Sequence, residues 1–258
     1  MSNKKPKILF YDIETTPIQA WVWRTGKTVI RSSQLVKNKN TYDIICIGYA
    51  WMHSKESGVL HWNYKTQNSK KMIEEFTKMC DEADLIIGKN NKRFDDKHLN
   101  TLRLVHGLPG RPDLLSKVDD LETQIRKHFY LPSYTLDYVS GMFGLGGKHS
   151  VGFQDWIDIM EKNANGEKAF AKMLRYCRKD VEDTKRLWKM LESHIQPKFN
   201  YSVESGLTCC KVCGSKNIRP NGSRTSPAGV KHLKYYCNDH KGYAGSHRAG
   251  AKNPILKG

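Results

Sequence analysis

The stretch ILFYDIETTP, residues 8–17, sets the first constraint on the fold. Ile8, Leu9, Phe10 and Ile13 have the character of a buried strand, and Pro17 marks where that strand must stop. Two carboxylates, Asp12 and Glu14, interrupt the run. Side chains at i and i+2 of a strand point the same way, so both lie on one side of the sheet, about 6 to 7 Å apart along the backbone. An arbitrary Asp-x-Glu is usually a solvated strand end, but here the flanking residues are core-forming. Two like charges in that setting need a cation between them. A hard divalent ion such as magnesium or manganese, held by carboxylates together with a substrate phosphate, fits these oxygens.

Charge suggests what carries that phosphate. The 258 residues include 43 Lys+Arg against 26 Asp+Glu, for a formal net charge of +17. Solubility does not require such an excess, and nucleic acid or an anionic membrane surface is its usual reason. No apolar run approaches the roughly 18 residues that span a bilayer, and MSNKKPKILFYDIE has too short an apolar stretch for a signal peptide. A cytoplasmic protein with no membrane partner is expected. There the seven cysteines stay reduced, so clustered ones read as metal ligands rather than disulfides.

The positive charge is concentrated toward the end. From residue 196 onward eleven basic residues accompany two acidic ones, Glu204 and Asp239. The length suits one good core plus a small module. The expected organisation is a first domain over 1–195, a linker over 196–207, a metal-binding module over 208–248 and a flexible tail over 249–258.

Periodicity in the first 195 residues is that of an α/β domain. AWVWRT, DIICIGYAWMH and GVLHWNY read as neighbouring strands of a meander, and DLIIG as a further buried strand. SKKMIEEFTKMCDEA has helical spacing at Met72, Ile73, Phe76 and Met79, and DKHLNTLRLVHG is a helix stopped by Gly107. DDLETQIRKHFY and SYTLDYVSGMFG are two more helices, the second running into the glycines of GLGGK. EKAFAKMLRYCRKDVEDTKRLWKMLESH places Phe170, Met173, Leu174, Cys177, Val181, Thr184 and Trp188 on one face, as a long helix with one side in the core requires. No internal repeat occurs.

Three further positions join Asp12 and Glu14. In IIGKNNKRFDDKHL the strand ends at Gly88, and the chain turns through Asn90 and Asn91 before Phe94, Asp95 and Asp96 open a helix. A strand end followed by a helix N-terminus is where an α/β sheet presents functional groups. Tyr176 and Asp180, four residues apart in YCRKD, share a helix face. Alone, an Asp at a helix start is most often a cap and a Tyr–Asp pair a surface feature. Their order around a central strand makes the joint signal.

Asp12-Ile13-Glu14, residues 90–95 in the pattern Asn-x-x-x-Phe-Asp, and Tyr176-x-x-x-Asp180 resemble the three motifs of the DEDD 3′–5′ exonucleases. They match the Tyr-containing branch, typified by the proofreading domain of family B DNA polymerases. LPSYTLDYVSGMFGLGGK is similar to the stretch those domains carry between the second and third motifs. The His-containing branch would need histidine where Arg175 stands. Lys89 occupies a position where relatives often have histidine, a change expected to alter strand contacts more than metal binding, and Asp96 reads as a solvated neighbour of Asp95. The resemblance covers nearly all of residues 5–193 and implies a ribonuclease-H-like fold, a mixed sheet flanked by helices. A chain too short for an attached polymerase resembles a stand-alone exonuclease, similar to those of bacteriophages, in a bacterial or phage-infected cytoplasm.

The resemblance implies hydrolysis of phosphodiester bonds from the 3′ end, with DNA ahead of RNA as substrate and nucleoside 5′-monophosphates as products. It implies two magnesium or manganese ions, Asp12 bridging both. Glu14 and Asp180 complete the site of the attacking water, Asp95 supports the second ion through water, and Tyr176 orients the attacking water. A phenol with a pKa near 10 is a poor base at neutral pH, so the role of Tyr176 is positional. Asn90 and Phe94 are expected against the nucleic acid.

The tail holds a second candidate metal site. CKVCGS and YYCNDH supply Cys210-x-x-Cys213 and Cys237-x-x-His240, two chelating turns that suit one tetrahedral zinc. A tail with few large aliphatics cannot stabilise itself by burial alone, and a structural zinc supplies the missing free energy. The CxxCGS opening resembles the zinc ribbons found beside many DNA-acting enzymes. Cys209 and His247 are substitute ligands in a different register, while Cys46, Cys80 and Cys177 read as core thiols. Lys231, Lys234, Tyr235 and Tyr236, with Lys241 and Tyr243 nearby, are candidate nucleic-acid contacts, and packing of the ribbon is an equal reading for the tyrosines.

Two classes of function follow. The first is the exonuclease, its ribbon helping to hold substrate. The second is a non-catalytic nucleic-acid-binding or adaptor protein on a nuclease scaffold, its ribbon binding a replication or recombination protein. The intact carboxylates count against the second. A transposase or resolvase would need a different carboxylate order and has no use for Tyr176.

Overall fold

The computed structural model describes residues 6–36, 42–145, 150–195, 200, 202–203, 206, 208–252 and 254–257. The apolar run at the start forms β1 (Ile8–Thr15), the middle strand of a five-stranded sheet. On one side it pairs antiparallel with β2 (Ile44–Trp51), which pairs antiparallel with β3 (Ser57–His61). On the other it pairs parallel with β4 (Leu85–Gly88), and β4 pairs parallel with β5 (Val118–Asp120). The sheet is mixed, as expected, and helices flank it.

The period of two along β1 decides what each face receives. Leu9, Tyr11 and Ile13 enter a core with Ile73 and Phe76 of α1 (Lys70–Glu82) and Leu99 of α2 (Asp95–Val105). Ile8 and Phe10 enter the opposite core, against Val181, Leu187 and Trp188 of α6 (Gly166–Leu191). That core also takes Leu121 and Ile125 of α3 (Leu121–His128) and Val139 of α4 (Leu136–Met142). Asp12 and Glu14 share the parity of Phe10 and so face α6. Helix α5 (Phe153–Glu161) packs with α6 against β2, around Ile45, Cys46, Trp62 and Ile159. The helix spacing read in α6 holds: Phe170, Met173, Cys177, Val181, Thr184 and Trp188 are all buried.

One close approach sets the distance between α6 and the sheet. Gly48 is the rung partner of Asp12. A Cβ there would lie 2.7 Å from the Cys177 carbonyl oxygen, so only glycine lets α6 lie this near β2. The Gly48 N–H donates to Cys177 Sγ at 3.1 Å.

Three expectations fail. AWVWRT forms no strand beyond a single bridge between Ala20 and Leu35. Both hydrogen-bonding edges of β1 are already occupied, by β2 and β4, so the segment that follows it has no edge of β1 to join. Residues 118–120, of which the sequence pattern assigns the last two to a helix, form the edge strand β5, and the Asp120 side chain then caps α3 by accepting from Thr123 N–H at 3.0 Å. The third concerns the tail.

The C-terminal module is a three-stranded antiparallel sheet of β6 (Ile218–Thr225), β7 (Lys231–Cys237) and β8 (Gly242–Arg248). Of residues 249–258, expected as a flexible tail, the described residues 254–257 lie against it. Lys257 N–H donates to the Ser246 carbonyl at 2.7 Å, and Leu256 is fully buried with Cys210, Val212, Cys237 and Ala244. A sheet this poor in aliphatics takes the leucine for its core. Of the expected linker, residues 196–199, 201, 204–205 and 207 lie outside the described residues, as do 146–148 of GLGGK. Two of its described residues are docked: Asn200 Nδ2 donates to the Leu256 carbonyl, and Leu256 N–H donates to Ser202 Oγ. Cys209 packs in the main core with Leu191 and Ile195.

Candidate active site

Carboxylate oxygens of Asp12, Glu14 and Asp180 all lie within 4.8 Å of one another. The first two reach this place by strand parity, the third by its position one helical turn beyond Tyr176 on α6. Asp95, at the start of α2, is anchored differently: its Oδ1 accepts the Ile13 N–H at 3.2 Å, between the two strand carboxylates. It stands outside the tight group of three but acts electrostatically on Asp12 and Glu14.

The electrostatics are unfavourable to negative charge. Burial is the largest cause for each acid, and neighbouring carboxylates add to it. Glu14 is pushed up to about 8 by burial, then by Asp180 and Asp95. Asp95 rises to about 7, chiefly by burial, with Asp96 and Asp120 adding to it. Burial, then Asp183 and Asp137, raise Asp180 to about 6. Asp12 is held well above the carboxylate range by burial and by Asp95, Glu14 and Asp180, with Lys89 pulling the other way. An all-oxygen donor set whose charge is so poorly compensated fits hard divalent cations, which remove the cause of these shifts.

Tyr176 is half-buried, and its phenol pKa is raised first by burial and then by Asp180. It stays protonated and is a donor beside Asp180, consistent with a positioning role. Asn90 sits at φ +62°, a left-handed turn, and its N–H donates to Asp120 Oδ1 at 3.2 Å. Asn91 is buried against Gly88, where a Cβ would lie 2.7 Å from its own. Phe94 is 41% exposed and meets His98 edge-on at 4.4 Å.

Two expectations near the site need correction. Asp96 is not a solvated neighbour: it accepts from Tyr11 OH at 2.5 Å, and its Oδ2 is buried without a partner among the described residues. Tyr11 has the odd parity of β1, so this pair forms on the far side of the sheet from Asp12. Lys89 does more than change strand contacts. It pairs with Glu122 at 2.8 Å, both largely buried, and its charge reaches Asp12. Sequence reasoning also missed Asp137, which acts on Asp180 because Val139 docks α4 into the core under α6. Its only signal was the acidic residue in the first turn of SYTLDYVSGMFG.

In the C-terminal module Cys210, Cys213, Cys237 and His240 place one ligand atom each within 4.8 Å of the others. His240 Nδ1 lies 3.2 Å from Cys210 Sγ and 3.6 Å from Cys213 Sγ, and Cys213 Sγ lies 3.6 Å from Cys237 Sγ. Two sulfurs about 2.3 Å from a tetrahedral zinc would be about 3.8 Å apart, so these residues fit that ion. Cys209 and His247 stand apart from the cluster, the first in the main core and the second stacked on Tyr235 at 5.3 Å. Cys46, Cys80 and Cys177 are buried, as core thiols should be.

Of the candidate nucleic-acid contacts on the ribbon, Lys231 is exposed and Lys234 partly so. Tyr235 packs against the ribbon core, so for it the packing reading holds. The Tyr236 ring lies under the Arg219 guanidinium at 4.7 Å, and Lys211 Nζ sits 5.0 Å from the Tyr243 ring centre. Among the described residues no helix is long and apolar enough to cross a membrane.

Residues 30–192 match the RNase_H_2 family model, described as RNase_H superfamily. Among solved structures, the family B DNA polymerase from the hyperthermophilic archaeon Pyrobaculum calidifontis is similar over 72% of this chain, at 18% identity and a TM-score of 0.53. The match takes in 24% of the polymerase chain, so the two share a fold over about a quarter of that larger protein. No curated protein matches the chain.

Proposed function

The chain belongs to the RNase H superfamily, and from that premise we propose that it is a metal-dependent 3′–5′ exonuclease acting on DNA. The observation that carries this reading is the convergence of Asp12, Glu14 and Asp180 within 4.8 Å, with Asp95 anchored beside them. Two magnesium or manganese ions bound there supply Lewis acidity at both ends of an in-line phosphodiester displacement. Asp12, Glu14 and Asp180 would hold the ions by charge, and Asp95 would support them from its anchor on Ile13 N–H. Tyr176 donates a hydrogen bond that orients the attacking water. Phe94 and Asn90 line the approach of the terminal nucleotides, and the net charge of +17 draws in the polyanion.

The choice of 3′–5′ direction rests on the Tyr-x-x-x-Asp pattern at Tyr176 and Asp180. We assign one structural zinc to Cys210, Cys213, Cys237 and His240, a reducing cytoplasm as the setting, and to the ribbon, with Lys231 and Lys234, a part in holding substrate. The domain limit near residue 196 follows the change in composition. End-labelled single- and double-stranded DNA and RNA, incubated with magnesium or manganese and sized over time, test the proposal. Ladders that shorten from the 3′ end of DNA are expected. Internal cuts, or no cleavage with either metal, would overturn it.

A further inference from the structure

Between β1 and β2 the chain leaves the sheet at Thr15 and returns at Ile44, its rung partner, one step from the rung of Glu14 with Cys46. Residues 19–36 of the intervening segment are held on a short stem. Trp21 N–H donates to the Gln34 carbonyl and Val36 N–H to the Gln19 carbonyl, each at 2.9 Å, around the Ala20–Leu35 bridge. Gln34 Nε2 adds a bond to the Trp21 carbonyl at 3.1 Å. The root is pinned by Trp156 of α5, whose Nε1 donates to the Thr15 carbonyl at 2.9 Å.

What this projection carries has no structural use in the fold. Trp21 is 76% exposed, Trp23 fully exposed, and Val29 87% exposed, and none of them belongs to a core cluster. Elsewhere in the same chain Trp62 and Trp188 are buried. Large apolar groups kept in water on an anchored stem mark an interaction surface. Their neighbours define the partner: residues 16–42 contain no Asp or Glu, and Arg24, Lys27 and Arg31 follow closely on the two exposed tryptophans. Aromatic faces for bases among cations for phosphates are the chemistry of single-stranded nucleic acid. A protein or lipid partner would also cover tryptophan. The acid-free composition, and a root one rung from Glu14, favour the strand that must pass the carboxylates.

We propose that the β1–β2 projection grips single-stranded nucleic acid close to the reacting end, stacking bases on Trp21 and Trp23 and placing Arg24, Lys27 and Arg31 on the phosphates. This rests on the exonuclease reading for its substrate. The test compares the full-length chain with a Trp21→Ala/Trp23→Ala variant and with Trp23→Phe. Binding of a labelled oligothymidylate is measured with calcium in place of magnesium, and turnover is measured on thymidine 5′-(p-nitrophenyl phosphate), an ester too small to reach beyond the carboxylates.

The double variant is expected to bind the oligonucleotide about 10- to 100-fold more weakly, with ester hydrolysis and thermal stability unchanged. Trp23→Phe should keep most of the affinity, since a smaller ring still stacks. Unchanged oligonucleotide affinity in the double variant would overturn the proposal, as would loss of binding to anionic phosphatidylglycerol vesicles in place of the oligonucleotide. The two readings fail separately. A wild-type chain that cleaves neither oligonucleotide nor ester defeats the exonuclease, while the binding comparison still decides the projection.

Discussion

The acidic site draws its carboxylates from three elements far apart in sequence, Asp12 and Glu14 on β1, Asp95 at the start of α2 and Asp180 on α6. The cysteine–histidine site draws all four from two turns whose outermost members, Cys210 and His240, are thirty residues apart. Around the first, two apolar cores hold the elements in place. Around the second, Cys210 and Cys237 are themselves part of a core that otherwise amounts to Val212, Ala244 and Leu256. At the acidic site the fold forces like charges together, and on the proposed reading a bound metal would relieve the resulting repulsion. At the other site a bound ion would take the place of a hydrophobic core. Losing a ligand should therefore abolish chemistry in the first region and structure in the second.

The largest effect is expected at the carboxylates. Asp12→Ala or Asp180→Ala should lower turnover at least about 1,000-fold, which corresponds to about 4 kcal/mol in the barrier, while circular dichroism and the thermal midpoint without metal stay at or above those of the wild type. Retained turnover at saturating magnesium would break the assignment, and an unfolded variant would break the comparison. Cys213→Ser should do the reverse. Zinc by elemental analysis falls to zero, amide protection is lost over β6 to β8, and the five-stranded sheet stays folded. Oligonucleotide affinity should then fall, with the salt dependence flattened by about 0.7 log units for each phosphate left without its cation. An unchanged salt slope would remove the ribbon from substrate binding.

Tyr176→Phe tests position rather than charge. Losing one water-orienting hydrogen bond in the transition state, about 1.5 to 3 kcal/mol, should reduce kcat about 10- to 100-fold and leave metal binding alone. Unchanged kcat would make the phenol structural. The smallest effect is on stability against pH. Glu14 rises from 4.5 to about 8 and Asp95 from 3.8 to about 7 in the fold, so as pH climbs the unfolded chain releases these protons first. Their contribution favours the fold below the ordinary carboxylate pKa and is lost as pH passes through the folded values. In buffer without added magnesium or manganese, with zinc retained, the thermal midpoint should decline between about pH 4 and pH 8. Glu14→Gln should make the decline shallower and manganese should suppress it. A wild-type profile unaffected by manganese would show that the carboxylates do not share an ion.

Much of the site was legible because its signals are local. Strand parity alone puts Asp12 and Glu14 on one side of β1, helical spacing alone puts Tyr176 and Asp180 on one face of α6, and the paired Cys-x-x-Cys and Cys-x-x-His turns announce their own cluster. These are consequences of backbone geometry within a few residues. Which side of β1 faces α6, and that Gly48 admits that helix close enough for Asp180 to meet Asp12, required the packed sheet. The same holds for the misread segments. AWVWRT alternates as a strand does, but β1 has no free edge to offer it; Asp96 looks like a second exposed acid until Tyr11 is found beneath it. Leu256 is indistinguishable from a loose terminal residue until the ribbon closes over it. Periodicity records which side of an element is apolar. Its partner is chosen among residues distant in the chain, by edge availability, close approach and shared burial, and those terms exist only once the tertiary structure has formed.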